Sequence, residues 1–574
     1  MFLSATCLAG VFFTLGVTAT SSLDPRWQAD TRGNTDPTPT VDKSRFVSTD
    51  GANFQVNDSN FRFIGTNAYW LPALNTDEDI DAVLSNISHS NITVVRLWAF
   101  NDVSTIPENG TWFQLLANGT TSVNLNETNG LPKLDRPSLQ IISMAEKHGI
   151  YLLMTLTNNW NPMPHDNITN TTNTPMLRRD VATNNSLPRN SLSSDYGGMD
   201  GTYQAEQITQ TIIAAFENYT TQIVSRYVNS TSVLSWEIAN DPRCNSSIGA
   251  TPSCNTNTIT RWHDRIATKI KSIDPNHLVS SGTQGFFCAD CPKIFQRTPA
   301  PPAGPSPAAN SRRQRKAVPL TNKRILEERK EARKKTRALQ IQSQSPSGVK
   351  VRGKWVATPT RRQEAVGMGS AFDGSTGVDS EDILNIPNIG FGSFQLFPDQ
   401  NQYAPDDPNL PAFNNTLQAG LDWIQRHGES SQMFGKPVTL TGFGLVTQDN
   451  APSFVPFNST VAPFANDQIG NLTSDLGRLP FGVTDQQRDD AYTQWLQQGI
   501  LSGLGGMIQY QWGQGNLTAV NGTPITPAIT ENGIVPVQSQ NGISPSDGYS
   551  IAGVGQEAVQ ATLQGAAQQF VPDA

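Results

Sequence analysis

The feature that most constrains this chain is a series of eight short apolar runs, each closing on polar or aromatic residues and separated by stretches of helical periodicity. They lie at 61–66, 93–97, 151–157, 233–239, 278–282, 392–397, 438–443 and 507–511, and helical spacing of apolar residues falls at 77–88, 137–148, 205–227, 258–273, 415–427 and 485–501. Strands buried on both faces of a parallel sheet read as near-continuous apolar runs, and helices between them return the chain to the same edge. Eight such strands predict a closed (β/α)8 TIM barrel; a doubly wound open sheet fits the same alternation. At 574 residues the chain exceeds the roughly 250 of a typical barrel and leaves room for long insertions.

The ends of the chain predict a secretory route. An apolar run, 2–17, precedes Val17-Thr18-Ala19, so 1–19 is expected to be a signal peptide rather than a retained anchor or a buried helix, with a polar, Pro-bearing linker over 20–45. Asn-x-Ser/Thr sequons begin at Asn57, Asn86, Asn91, Asn109, Asn118, Asn126, Asn218, Asn229, Asn414, Asn458, Asn471 and Asn516. Their density fits a glycosylated, extracellular protein, expected to be monomeric and off the membrane once the signal is removed. Beyond Cys7 in the signal segment, Cys244, Cys254, Cys288 and Cys291 can pair in three ways. The local solution joins Cys244 to Cys254 and Cys288 to Cys291; a four-Cys zinc site is the rival, without finger-like spacing.

One segment interrupts the rhythm. The barrel is expected to run over 46–296 and resume over 367–574, divided by a Pro-rich and basic insertion at 297–366. Residues 312–362 hold 17 Lys/Arg against 3 Glu; removing these from the totals of 41 and 49 leaves 24 basic against 46 acidic residues. The net −8 therefore conceals a strongly acidic barrel and a basic insert. The insert is expected to be disordered or loosely helical, with a solvated helix over 321–340, and docking onto the acidic barrel or onto cell-wall polyanions is the alternative. It has no aromatic series or folded reading element, so nucleic acid is not an expected partner.

In a barrel of this kind, chemistry gathers at the C-terminal ends of the strands. The first ends in Gly65-Thr66-Asn67-Ala68-Tyr69-Trp70, the second in Arg96-Leu97-Trp98-Ala99-Phe100-Asn101-Asp102, the third in Asn158-Asn159-Trp160 and the fourth in Trp236-Glu237-Ile238-Ala239-Asn240-Asp241-Pro242-Arg243-Cys244. Tyr196-Gly197-Gly198-Met199-Asp200 follows an Asn- and Ser-rich stretch. Together these segments resemble the fungal endo-β-1,4-mannanase branch of glycoside hydrolase family 5, over about 46–515 apart from two insertions. The resemblance implies a cofactor- and metal-free retaining glycosidase acting on β-linked mannan, with two glutamates about 5 Å apart flanking the scissile bond.

Both glutamates are missing. The resemblance places the acid/base at Asp241, one methylene shorter than Glu, and the nucleophile at Gly442 in Leu440-Thr441-Gly442-Phe443-Gly444. The family's His-x-Tyr pair at the sixth strand is matched by Gln395-Leu396-Phe397, and its eighth-strand Trp by Tyr510, with Trp512 as the alternative register. Arg96 and Asn240 remain, the former expected beside the nucleophile position and the latter on the sugar 2-hydroxyl. Tyr69, Trp70, Trp98, Trp160 and Tyr196 are expected to supply flat rings for pyranose faces, with packing at the barrel rim as the alternative for each. The expectation is therefore a barrel that binds β-linked polysaccharide or oligosaccharide with impaired hydrolysis. An inverting hydrolase using Asp241 with Asp399 or Asp449, and a secreted structural protein, are the alternatives; Glu237 is expected to be a buried structural carboxylate.

Overall fold

The computed structural model describes residues 45–100 apart from 75, then 102–103, 113–117, 120–123, 139–159, 206–244, 254–297, 349–351, 354–356, 370–450, 482–518, 527–530, 533–536, 542, 544, 548–549 and 556–570. Eight parallel strands form the centre: β1 (Phe63–Asn67), β2 (Val94–Trp98), β3 (Tyr151–Thr155), β4 (Val233–Glu237), β5 (Leu278–Ser280), β6 (Gly392–Leu396), β7 (Val438–Phe443) and β8 (Gly506–Gln509). Hydrogen bonding runs β5-β4-β3-β2-β1-β8-β7-β6, and a parallel bridge between Ser280 and Phe391 joins the two ends. The sheet is thus a nearly closed (β/α)8 barrel rather than an open doubly wound sheet. Each strand is followed by a helix: α1 (Asp77–His89), α2 (Leu139–Lys147), α3 (Glu206–Tyr227), α4 (Thr256–Ile273), α5 (Ser380–Leu384), α6 (Ala412–Phe434), α7 (Asp485–Leu501) and α8 (Gln556–Phe570).

Local chemistry sets these boundaries. Thr76 caps α1 by accepting from the Asp79 amide, and Asp77, Glu78 and Asp79 complement the positive end of the helix dipole. Thr484 and Gln487 cap α7 reciprocally, and α6 ends on Gly435 in the left-handed conformation. Two helices were not expected from the periodicity. Five-residue α5 is too short to display a period of 3.6, and α8 buries Val559, Leu563, Ala566, Ala567 and Phe570 on a face diluted by alanine. A three-stranded antiparallel sheet, Ser48–Asp50, Asn53–Val56 and Ser59–Phe61, precedes the barrel. Its Phe54 packs with Phe63, Val94, Leu153, Leu234, Phe391 and Ile508, an apolar layer at the N-terminal end of the strands. That layer confines any opening to the opposite end.

The cysteines form the local pairs, Cys244–Cys254 and Cys288–Cys291, which removes the zinc alternative. The signal segment, the linker, the sequence over 321–340, Trp160 and Tyr196 lie outside the described residues. Of the insertion, only a two-stranded antiparallel ribbon is described, Val349–Val351 with Lys354–Val356.

Candidate functional site

At the C-terminal end of the barrel, Arg96 of β2 is buried and donates through Nε to Glu237 Oε1 at 2.9 Å, while its Nη2 pairs with the same oxygen and donates to Asn240 Oδ1 at 2.8 Å. Thr155 of β3 donates to Glu237 Oε1 at 2.8 Å. Asn240 donates to Asn158 Oδ1 at 3.0 Å and accepts from Gln395 Nε2 at 3.3 Å. Gly282 makes space for this buried ion pair. Its φ is +76°, and a Cβ there would lie 1.8 Å from the Ala239 carbonyl and 2.7 Å from Glu237 Cγ. Glu237 has the structural position expected for it, yet its Oε2 is buried with no partner among the described residues.

Asp241 follows immediately, in a left-handed conformation (φ +52°) that a short polar side chain adopts at less cost than a longer one. Arg243 Nε lies 3.0 Å from each carboxylate oxygen, its Nη2 is 2.5 Å from Oδ2, and Gln284 Nε2 donates to Oδ2 at 3.0 Å. A general acid must present a protonated oxygen to the leaving group. Both Asp241 oxygens instead accept from a guanidinium fork, and the residue is 2% exposed. Arg243 and Gln284 were not anticipated as part of this site; the only sequence signal was Arg243 two positions beyond Asp241.

The position expected to lack a nucleophile is occupied in another way. Gln395 and Gly442 are paired in register across β6 and β7, and the ring of Phe397 lies over the glycine. A Cβ on Gly442 would lie 3.1 Å from Phe397 Cζ and 3.3 Å from Cε2, closer than ordinary van der Waals contact. Thr441 Oγ1 is committed to the Phe394 carbonyl at 3.2 Å. Of the two reserve carboxylates, Asp449 is exposed in a turn, and Asp399 is fully buried with Oδ2 accepting from the Val446 amide at 3.0 Å. Burial pushes the Asp399 carboxyl up to about 7.

The aromatic residues interlock. Tyr69 packs on Trp98 at 4.5 Å between centroids, Trp98 stacks on Phe100 at 4.8 Å, and Tyr69 stacks on Tyr510 at 6.1 Å. Tyr510 closes β8 and meets Phe397 edge-on at 5.5 Å, whereas Trp512 packs in the main core. Tyr510 therefore takes the position facing the mouth. Trp70 is wholly buried in the core, and Tyr69 and Trp98 are also buried, so among the described rings of this series only Tyr510 is half-exposed.

This geometry can be set beside known proteins. A family model described as Cellulase (glycosyl hydrolase family 5) matches residues 47–462, from the strand ahead of the barrel to beyond β7. A probable mannan endo-1,4-beta-mannosidase A-2 of Aspergillus terreus is 34% identical over 427 residues, 73% of this chain and 74% of that protein. Mannan endo-1,4-beta-mannosidase F of Aspergillus clavatus is 36% identical over 251 residues, 42% of this chain and 47% of its own length, so the match spans about half of that relative. The crystal structure of the endo-1,4-beta-mannanase from Rhizomucor miehei aligns over 92% of this chain and 99% of that one, with a TM-score of 0.51 at 20% identity, a likeness of fold alone. The match through seven barrel strands, and a relative 34% identical over 73% of this chain, place the chain in one family: it belongs to glycosyl hydrolase family 5.

Proposed function

We propose that this protein is a secreted, β-mannan-recognising member of its family in which retaining hydrolysis is impaired. The observation that carries the reading is the Phe397 ring packed over Gly442, where a retaining enzyme needs a carboxylate. With no side chain at 442 there is no group to form a glycosyl-enzyme bond, and the aromatic ring fills the adjoining space. The Asp241 carboxylate, held by Arg243 and Gln284, is a poor proton donor on the opposite side. An inverting route through Asp241 and Asp399 needs a water between carboxyls roughly 6.5–9.5 Å apart. The complete burial of Asp399 and its bond to the Val446 amide weigh against it.

Recognition rests on groups separate from bond cleavage. Asn240, Arg96, Gln395 and Tyr510 border the mouth, and Asn67 Nδ2 and Glu237 Oε2 are buried polar atoms without partners among the described residues. Such atoms are the exception in folded proteins and commonly face a ligand or an ordered water. Mannan as the glycan is taken from the mannosidase relatives. A secretory route is supported by the two disulfides and by the sequons, since Asn57, Asn86, Asn91, Asn218, Asn229, Asn414 and Asn516 are all exposed. No helix among the described residues is long and apolar enough to cross a membrane.

The test pairs turnover with binding. Hydrolysis of β-mannan by the unmodified protein is expected near background, because general acid–base help alone contributes about 10²–10⁴ in rate and the nucleophile is lost as well. Calorimetry is expected to detect manno-oligosaccharide binding, weakened by Tyr510→Ala. Robust mannan hydrolysis with retention of configuration would overturn the reading.

A further inference from the structure

A second aromatic side chain reaches the same position from far along the chain. Beyond β8, Gly542 and Ser544 are tied to the loop that follows the strand: the Leu517 amide donates to Gly542 O at 2.8 Å, the Ser544 amide to Gln514 O at 2.7 Å, and Ser544 Oγ accepts from the Gln514 amide at 2.8 Å. Tyr549, also beyond β8, packs at the barrel mouth, where it is 1% exposed. Its ring meets Phe397 at 5.3 Å and Tyr510 at 5.6 Å, both T-shaped, and Val446 completes the cluster. Its hydroxyl accepts from Gln400 Nε2 at 3.0 Å. Gly444 leaves room for the ring, since a Cβ there would lie 2.6 Å from Tyr549 Cδ1. Residues from the loops after β6, β7 and β8 thus converge on one aromatic ring.

We propose that Tyr549, acting with Phe397, is a specificity-determining plug: it closes the centre of the barrel mouth beside Gly442 and confines a bound mannan to the side of the half-exposed Tyr510. This rests on the mannan-binding reading above, and it adds where the glycan stops. In an open cleft a longer β-linked chain gains contacts by crossing the strand ends, and affinity rises with the number of sugar units. Here the Phe397–Tyr549 pair stands where the crossing sugar ring would lie. Asn67 Nδ2 and Glu237 Oε2, buried and without partners among the described residues, belong to the ends of β1 and β4. Glu237 connects to the plug through Arg96, Asn240 and Gln395, the register partner of Gly442. Removing the Tyr549 ring opens this region without touching the polar network.

Two measurements on the full chain test the plug and the glycan reading separately. The thiol of a Gly442→Cys variant is titrated with a small neutral alkylating reagent in three backgrounds: native Tyr549, Tyr549→Phe and Tyr549→Ala. The expected result is slow modification in the first two and modification faster by about tenfold or more in the third, the change that about 1.4 kcal/mol of easier local opening produces. Thermal melting confirms that each variant is folded, and Tyr549→Phe keeps the ring should Tyr549→Ala prove unstable. Equal rates in all three backgrounds, or modification with native Tyr549 as fast as in the denatured chain, overturn the plug. Calorimetry with mannotriose and mannohexaose, performed with Gly442 intact, is expected to give equal affinities for the native protein and about tenfold tighter binding of the hexaose for Tyr549→Ala. Native affinity that climbs with chain length also overturns the plug. If the thiol behaves as expected but neither sugar binds any form, the plug stands and the mannan reading fails.

Discussion

Adding one methyl group at position 442 measures how tightly the space beside Gly442 is filled. The Cβ of Gly442→Ala would stand 3.1 Å from Phe397 Cζ and 3.3 Å from Cε2, so the ring must retreat by a few tenths of an ångström. Phe397 is packed by Tyr510, Tyr549 and Val446 and is 6% exposed, which leaves it little room to do so. Overpacking of this kind costs about 1–3 kcal/mol, and truncating a buried Phe to Ala costs about 3–5 kcal/mol. In the Phe397→Ala background the added methyl enters space the ring has vacated and should be neutral or stabilising. The double-mutant cycle is then expected to give a favourable coupling of about 1 kcal/mol or more, above the 0.3–0.5 kcal/mol scatter of independent sites. Urea denaturation of the four proteins, followed by tryptophan fluorescence with equal m-values, measures it. Additivity within about 0.5 kcal/mol would refute the claim that Phe397 fills this position. The same geometry predicts that Gly442→Glu with Asp241→Glu stays near background on mannan until Phe397 is also made smaller, because the longer side chain needs more of the space the ring occupies.

Three further outcomes follow from the buried charges and cross-links. Arg96→Ala should destabilise the fold by about 3–5 kcal/mol by leaving Glu237 buried and unpaired, whereas Arg96→Met with Glu237→Leu should cost less than the single change; a double variant at least as costly as Arg96→Ala would contradict the ion pair. Asp399, raised by burial to about 7, keeps its proton in the folded state after the unfolded chain has released it, so its contribution to stability falls between about pH 4 and pH 7 and is level above. Asp399→Asn should therefore gain on the native protein by at most about 4 kcal/mol between pH 4.5 and pH 8 in paired denaturation curves, and a pH-independent difference would count against it. Cys244→Ser with Cys254→Ser, which releases a cross-link of sequence separation 10, should cost about 2–3 kcal/mol in the same assay, and an unchanged midpoint would show that the bridge adds nothing to stability.

The barrel was legible because its strands are buried on both faces: all five residues of Val94–Trp98 and of Val233–Glu237 are buried, which gives each segment the unbroken apolar character that sequence inspection detects. The polar residues at the strand ends were legible for the complementary reason, since Arg96, Asn240 and Asp241 interrupt such runs. Contacts made at long range were hidden. That Phe397 would turn over Gly442 depends on the β6–β7 register, with a shift between Phe394 and Gln395, and Tyr549 lies far beyond the last strand with no periodic signal around it. The aromatic residues were read as a platform for sugars because residue type shows what a ring can do; which rings are covered by other rings depends on packing between loops distant in the sequence.

The side chains at these strand ends are physically consistent with one another. The buried guanidinium of Arg96 would be an uncompensated charge by itself, and Glu237 with Asn240 supplies the compensation. A glycine at 442 would leave a void beside the strand end, and a phenylalanine at 397, with no hydroxyl requiring a partner, fills it. Asp241 is buried, and Arg243 with Gln284 engages both of its oxygens. A glutamate placed singly at 241 or at 442 therefore disturbs its neighbours' packing, so either single change should lose stability before it adds turnover. The described side chains around Gly442 are thus packed and paired with one another, which is the arrangement that the proposed binding role requires.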